Sequence, residues 1–353
     1  MNSISKKIFF PISIIFLLIS ICASILLGPV DMSLKQIFQI VLDLIGISDF
    51  YFEKEYLPLH KTVLLGIRIP RIALALLVGM ALGTSGAILQ GLFRNPLVDP
   101  GFIGVSSGAA IGAMFIIMFA NLFSGKISDF WLSYLLPVFA MIGSMITTLL
   151  VYKLATTEKK TNIMTMLLSG IAINAFVGSV IGLLVINSSD IQLRSFTFWT
   201  LGGLDNASWD IVGVSFVFIV IPLIFSYSLR NKLDIFMLGD SEARYLGLAV
   251  ETLKKVIILI SALMVGVSVA FCGMIGFIGL VTPHLVRLFI GPNHKYLLTG
   301  SALLGAFLLI CSDFISRIII SPAQLPISIV TSLIGAPFFI YLIIEQKRKF
   351  KIA

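Results

Sequence analysis

The sequence predicts an all-α polytopic membrane protein of about ten transmembrane helices, folded as two inverted five-helix halves of one integral domain. Three observations carry this. Only 12% of the 353 residues are charged, whereas soluble domains run near 25%, and the mean hydropathy is +1.07. Apolar runs of about twenty residues, the length that crosses a bilayer's hydrocarbon, recur along the chain. Finally, sliding the sequence by 187 positions lays Ala75, Leu76, Val78, Gly79, Gly86, Ile88 and Pro96 on Ala262, Leu263, Val265, Gly266, Gly273, Ile275 and Pro283.

The first apolar run, Ile8 to Gly28, follows Lys6 and Lys7. It exceeds the roughly 7–15 residues of a signal-peptide core and lacks a small-residue cleavage site. It therefore reads as a retained span. From Ser33 to Ile47, Leu34, Ile37, Val41 and Leu44 share one helical face, and Ser33 with Gln36 has capping-box spacing, so a short helix on the membrane surface is expected. The chain re-enters at Arg68–Arg71, where Pro70 suits a first helical turn because its missing N–H is not needed there. The remaining spans are expected at Ile69–Gln90, Gly101–Ala120, Tyr134–Tyr152, Ile163–Ile186, Ile211–Leu229, Val256–Phe271, Gly273–Ile290, Tyr296–Ile315 and Leu325–Ile344.

With the N-terminus inside, inner segments hold 17 of the 25 Lys and Arg and outer segments the other 8. That bias orients both termini to the cytoplasm. The second span then runs inward and its counterpart, the seventh, outward, so the repeat is inverted, as in many transporters. Approximate halves are residues 1–190 and 191–353.

The stretch from Arg68 to Ala110 organises the rest. Gly79 and Gly83 stand four apart, as do Gly104, Gly108 and Gly112, and Gly86 follows on the first span. Small residues at that spacing let a neighbouring backbone come close, which in lipid replaces hydrophobic collapse. Transmembrane helices are also glycine-rich in general, but composition alone sets no period. Asn95 and Pro96 make the polar turn between the two spans, and Gly273, Gly276 and Pro283 occupy the second half, as further packing and path positions.

Several function classes are disfavoured. The net charge of +8 lies in loops with no aromatic-interleaved basic stripe, which is an orientation signal and does not suit nucleic acid. Cys22, Cys272 and Cys311 have no CxxC spacing, and His60, His284 and His294 lie far apart, so no disulfide framework, metal site or resident cofactor is expected. Gly125 and Lys126 lack the earlier glycine and following Ser or Thr of a phosphate-binding loop. No nucleophile, base and acid share a recognisable spacing. The chain is not expected to be an enzyme, and any ATP with its magnesium would be held by a partner. Ionisable residues are expected only at span ends, which disfavours an ion-coupled carrier, though backbone carbonyls at broken helices can also bind sodium.

Two polar regions stand out. Arg68, Arg71 and Arg317 sit at one water boundary, either as a docking surface for an acidic partner or as anchors that snorkel to head groups, with Arg317 one turn from Asp313. At the opposite boundary, Arg230 to Lys255 is charged and holds two glycines; it is either a solvated loop or a coupling surface.

The motifs RIPR, GAILQGLFRNPLVDPGFIGVSSGAA, LGDSEARYLG, GMIGFIGLVTPHLVRL and LPISIVTSLIGAPFFIYLI together resemble the FecCD-type permeases. Those are the membrane subunits of ATP-binding cassette importers for ferric siderophores, haem and cobalamin. The resemblance spans Arg68 to Ile344 and implies the type II importer permease fold in a bacterial cytoplasmic membrane. It implies a second permease subunit, identical or paralogous, two cytosolic ATPase subunits and an extracytoplasmic substrate-binding protein. It also implies that Arg68, Arg71 and Arg317 meet acidic residues of that binding protein. Leu238, Gly239, Asp240, Glu242, Ala243, Arg244, Leu246 and Gly247 would form the helix that couples to the ATPase. The acidic, aromatic patch Asp49 to Tyr56 matches no family role.

Overall fold

The computed structural model describes residues 3–28, 30–46, 56–119, 125, 128–320 and 323–352. The helices are α1 (Ser3–Leu26), α2 (Leu34–Leu44), α3 (Pro58–Thr62), α4 (Ile69–Leu92), α5 (Val105–Phe119), α6 (Asp129–Leu154), α7 (Ile163–Ile186) and α8 (Asp190–Leu201). They continue with α9 (Trp209–Ser228), α10 (Arg230–Phe236), α11 (Asp240–Tyr245), α12 (Val250–Cys272), α13 (Ile278–Ile290), α14 (His294–Ile318) and α15 (Ile327–Ile352). Two short antiparallel strands, β1 (Thr156–Thr157) and β2 (Lys160–Thr161), pair in the turn after α6. Among the described residues seven helical segments are long and apolar enough to cross a membrane, and three shorter apolar ones, Val105–Phe119, Ile278–Ile290 and Ile327–Tyr341, complete the expected ten.

α4 is the central post. It packs against α14, α12, α13 and α9 and is buried along nearly its whole length. Its small residues explain why. A side chain at Gly79 would strike the backbone of Gly305 and Ala306, and one at Gly83 the Ser301 carbonyl oxygen, all on α14. One at Gly86 would strike the Gly279 carbonyl on α13. Pro283 lies four residues beyond Gly279 and has no N–H to return to that carbonyl, so the oxygen Gly86 abuts is one the helix itself leaves free.

α4 packs on α14 as α12 packs on α6, and α5 on α6 as α13 on α14. The 187-residue shift lays helix on helix only as far as Ser85 and Cys272: α4 continues to Leu92 whereas α12 ends at Cys272, and Pro96 lies in a turn whereas Pro283 lies inside α13.

The surface helix α2 forms with its capping box: Ser33 Oγ accepts from Gln36 N–H, and Gln36 Oε1 accepts from Ser33 N–H at 3.0 Å. Other expectations need correction. The second span does not begin at Ile69. It runs from Pro58 to Leu92, so Pro70 lies within a continuous helix, which widens over Val63–Arg68 so that Ile69 N–H reaches Leu64 O. α8, with its own cap from Ser189 to Gln192, forms in the connection between the expected spans Ile163–Ile186 and Ile211–Leu229. Gly104 is not on the α5 face; it ends a 3-10 turn at φ 84°, the left-handed region that suits glycine. Gly108 and Gly112 do meet α6, at Gly143 and Phe139. Gly273 ends α12 at φ 67° against the Trp199 carbonyl, whereas a side chain at Gly276 would meet nothing within 4 Å. The patch from Asp49 to Glu55 falls outside the described residues. Cys22, Cys272 and Cys311 are free thiols.

Gly86→Val is expected to push α13 off α4 and to destabilise the protein by about 1–3 kcal/mol, the range for overpacking. Gly276→Val, in open space, should melt like the parent. Thermal unfolding of the two purified variants in detergent checks the contrast.

Candidate docking and coupling sites

At the end of the bundle where α4 begins and α14 ends, charges expected at span ends turn inward. Asp313 is 1% exposed and Arg71 5%. Arg71 Nε and Nη2 each lie 2.8 Å from Asp313 Oδ1, and its Nη1 reaches Asp205 Oδ1 at 3.0 Å. Asp313 Oδ2 lies 3.1 Å from Arg317 Nε, the pairing one helical turn apart, and Arg317 Nη2 donates to Ser24 Oγ of α1. Arg68 donates to the carbonyls of Ile25, Leu26 and Val30. It thereby satisfies orphan carbonyls at the C-terminal end of α1.

All three arginines are therefore buried and engaged within the chain. They tie α1, α4 and α14 together. The exposed member of the cluster is Asp205, whose side chain is 61% exposed. Sequence reading missed it because it lies in the connection after α8, far from the arginines in sequence. The same connection borders a cavity of about 380 Å³ that also touches Trp199, Gly273 and Gln324.

At the opposite end, Gly239 takes φ 132°, which only glycine adopts without strain, and releases the chain from α10 into α11. α11 and its flanks project Leu238, Tyr245 and Leu246 into solvent, Tyr245 being 93% exposed, while Ala243 alone of the residues of α11 is buried. Gly247, at φ 81°, turns the chain toward α12. Asp240 anchors the helix: one oxygen lies 2.7 Å from Arg94 Nη2 and the other 2.7 Å from Lys254 Nζ. Arg94, at the end of α4, also donates to the Phe236 carbonyl at 2.7 Å and covers that ring at 4.2 Å. Lys254 donates to Thr161 O at 2.8 Å, and Glu251 accepts from Thr161 N–H at 2.8 Å while pairing with Arg244 at 2.6 Å.

An ionic clamp thus binds α11 to α4, α12 and the β1–β2 turn. Asn95 holds the turn after α4, its Oδ1 accepting from Leu97 N–H at 2.9 Å. In the sequence Asp240 and Lys254 both fall in the charged Arg230–Lys255 segment, but nothing local pairs either with Arg94. A signal for Lys254 was present: it falls on the same helical face as Val250, Leu253, Ile257 and Ile258, all buried.

Partial burial pushes the Asp240 carboxyl up, but the bonds and charges of Lys254 and Arg94 outweigh it and hold the group below its ordinary 3.8. Among the described residues no cluster of His, Cys, Asp or Glu fits a metal ion.

The sequence matches the FecCD transport family over residues 16–345, and the chain belongs to that family. It is an ABC transporter permease with the type II importer fold. It is 43% identical to the hemin transport system permease protein of Yersinia pestis over 289 residues, 81% of this chain and 84% of the relative. It is 36% identical to the cobalamin import system permease protein of Halobacterium salinarum over 281 residues, 80% and 73% of the two chains. A solved structure described as an inward-facing conformation of a metal-chelate type ABC transporter superposes with a TM-score of 0.82 at 32% identity, covering 96% of this chain and 99% of the other.

Arg71→Leu leaves Asp313 buried without its main partner and is expected to destabilise by about 3–5 kcal/mol, with Arg71→Leu/Asp313→Leu recovering most of that. Unfolding of the singles and the double in a mutant cycle measures it. For Asp240 the sign follows from its lowered pKa: the clamp's stabilisation is complete above 3.8 and is lost as pH falls through the folded value. Hydrogen exchange across residues 238–247 should rise on acidification below 3.8, whereas Asp240→Asn should exchange fast already at neutral pH.

Proposed function

We propose that this chain forms the translocation path of an ATP-driven importer for a chelated metal complex, haem or an iron(III)-siderophore, with cobalamin as the alternative cargo. The observation that carries this is α11. It is a short helix that, with its flanking residues, offers Leu238, Tyr245 and Leu246 to solvent, and it is tied to the end of the central α4 by Arg94 and to α12 by Lys254. Such an element transmits force when a partner grips it. An ion-driven carrier or a scaffold has no use for it.

In this reading two cytosolic ATPase subunits hold ATP and magnesium and seat α11, a second permease subunit completes the path, and the chain itself catalyses nothing. It sits in a bacterial cytoplasmic membrane with both termini inside, as the positive-charge bias directs. ATP binding by the partners favours one of two packings of the helices, and differential affinity for those states drives the switch. α4 is the element best placed to move as a unit, since it touches both the α11 clamp and the arginine cluster. Cargo chemistry rests on similarity: hemin for the relative at 43% identity and a metal-chelate class for the solved structure.

The arginine cluster is proposed as the docking end for an acidic binding protein. Arg71 already accepts one exposed carboxylate, that of Asp205, so a partner's carboxylate would compete for the same guanidinium.

Uptake of labelled hemin, ferric siderophore and cobalamin by cells lacking this chain tests the assignment. Loss of one cargo, restored by the chain and abolished by an ATPase-dead partner, is expected; uptake indifferent to the partner's ATPase would overturn it. For docking, Asp205→Arg should tighten binding-protein association by roughly tenfold at low salt and make it more salt-sensitive. An unchanged dissociation constant in that variant sinks the docking role.

A further inference from the structure

At the end of the bundle that carries α11, a cavity of about 510 Å³ opens between α4, α10, α13 and α14. Gln90, Arg94, Asn95, Asp234, Arg287 and His294 line it. Most of its charge is already committed. Asp234 Oδ1 accepts from the His294 backbone N–H at 3.1 Å and lies 2.6 Å from its Nδ1. Arg94 serves the Phe236 carbonyl and Asp240.

Arg287 is different. Its Nη2 donates only to the neutral Gln90 Oε1 at 3.0 Å. Its Nη1 has no partner, and neither has Nε2 of His294, a residue 3% exposed. Among the described residues no carboxylate lies within ion-pair distance of Arg287. A partly buried guanidinium left without an anion is costly, and the second guanidinium, Arg94, adds to the field.

The volume falls in the range of small-ligand sites, and guanidinium pairs phosphate oxygens well. Basic pockets between transmembrane helices characteristically take phospholipid head groups. α13 and α14 also border an apolar groove of about 400 Å³, lined by Phe9, Phe16, Phe289 and Phe307, that suits acyl chains.

We propose that the α4–α10–α13–α14 cavity binds a phosphate oxyanion, with Arg287 as its main counter-ion and exposed Arg94 and Asn95 completing the lining. The phosphate comes either from an anionic phospholipid or from free inorganic phosphate. Occupancy ties the turn after α4, whose Arg94 holds α11 through Asp240, to α13.

The test uses the purified full chain in phosphatidylcholine nanodiscs titrated with inorganic phosphate, and in parallel in nanodiscs containing phosphatidylglycerol. Melting temperature and lipid retained in native mass spectra are read. Asn95→Asp keeps the oxygen that Leu97 N–H uses but adds a negative charge at an exposed turn, so it reports on the site even where Arg287→Gln fails to fold. Both variants are expected to weaken binding roughly tenfold, with Arg287→Lys less affected. A saturable phosphate response without lipid retention identifies free phosphate; retained phosphatidylglycerol that phosphate does not displace identifies the head group. No response in either arm, or equal responses in the parent and Asn95→Asp, overturns the proposal. So does a cavity filled only when the ATPase subunit is added, which would mean a partner carboxylate occupies it.

Discussion

The backbone-to-backbone approach of α4 to α14 and α13 is the constraint on which the rest of the protein depends. At Gly79, Gly83 and Gly86 there is no room for a methyl group. In lipid there is little hydrophobic gain from joining two apolar helices, so dispersion at short range and satisfied polar groups hold them. Glycine supplies the first, and Pro283 frees the carbonyl that Gly86 meets. With α4 fixed, α12 and α9 pack on its other faces, and both polar ends of the bundle are placed by the two ends of one rod.

Those ends are built on different physics. At one, Asp313 is fully desolvated and compensated by two arginines, a geometry in which removing any partner strands a charge. It locks α1, α4 and α14. At the other, Asp240 is partly wet, and its bonds to Arg94 and Lys254 are of the kind that solvent weakens. It holds α11 in place. A stiff end and a yielding end joined by α4 suit a permease that must change packing without unravelling.

The helix between Asp190 and Leu201 and the widened turn at Val63–Arg68 show where local rules meet tertiary demand. α8 carries a polar cap and a mixed face, too short and too polar to register as a span. Pro70 signalled a helix start, yet the helix continues through it because a π-type stretch redirects the neighbouring amide of Ile69 to Leu64 O. Neither is visible in hydropathy.

Composition and periodicity by themselves determined the membrane class, the ten apolar segments, the glycine face of α4, the cap of α2 and the boundary position of the arginines, since each follows from local residue type and spacing. The motif resemblance added the family and the segment that forms α11. Only the tertiary structure decided that Arg68, Arg71 and Arg317 are turned inward, that Asp205 covers Arg71, and that Lys254 and Arg94 close on Asp240. It also decided that Gly104 serves a left-handed turn and that a side chain at Gly276 would meet open space. Those outcomes depend on which helices meet, and pairings across 242 residues, as between Arg71 and Asp313, leave no trace in local pattern.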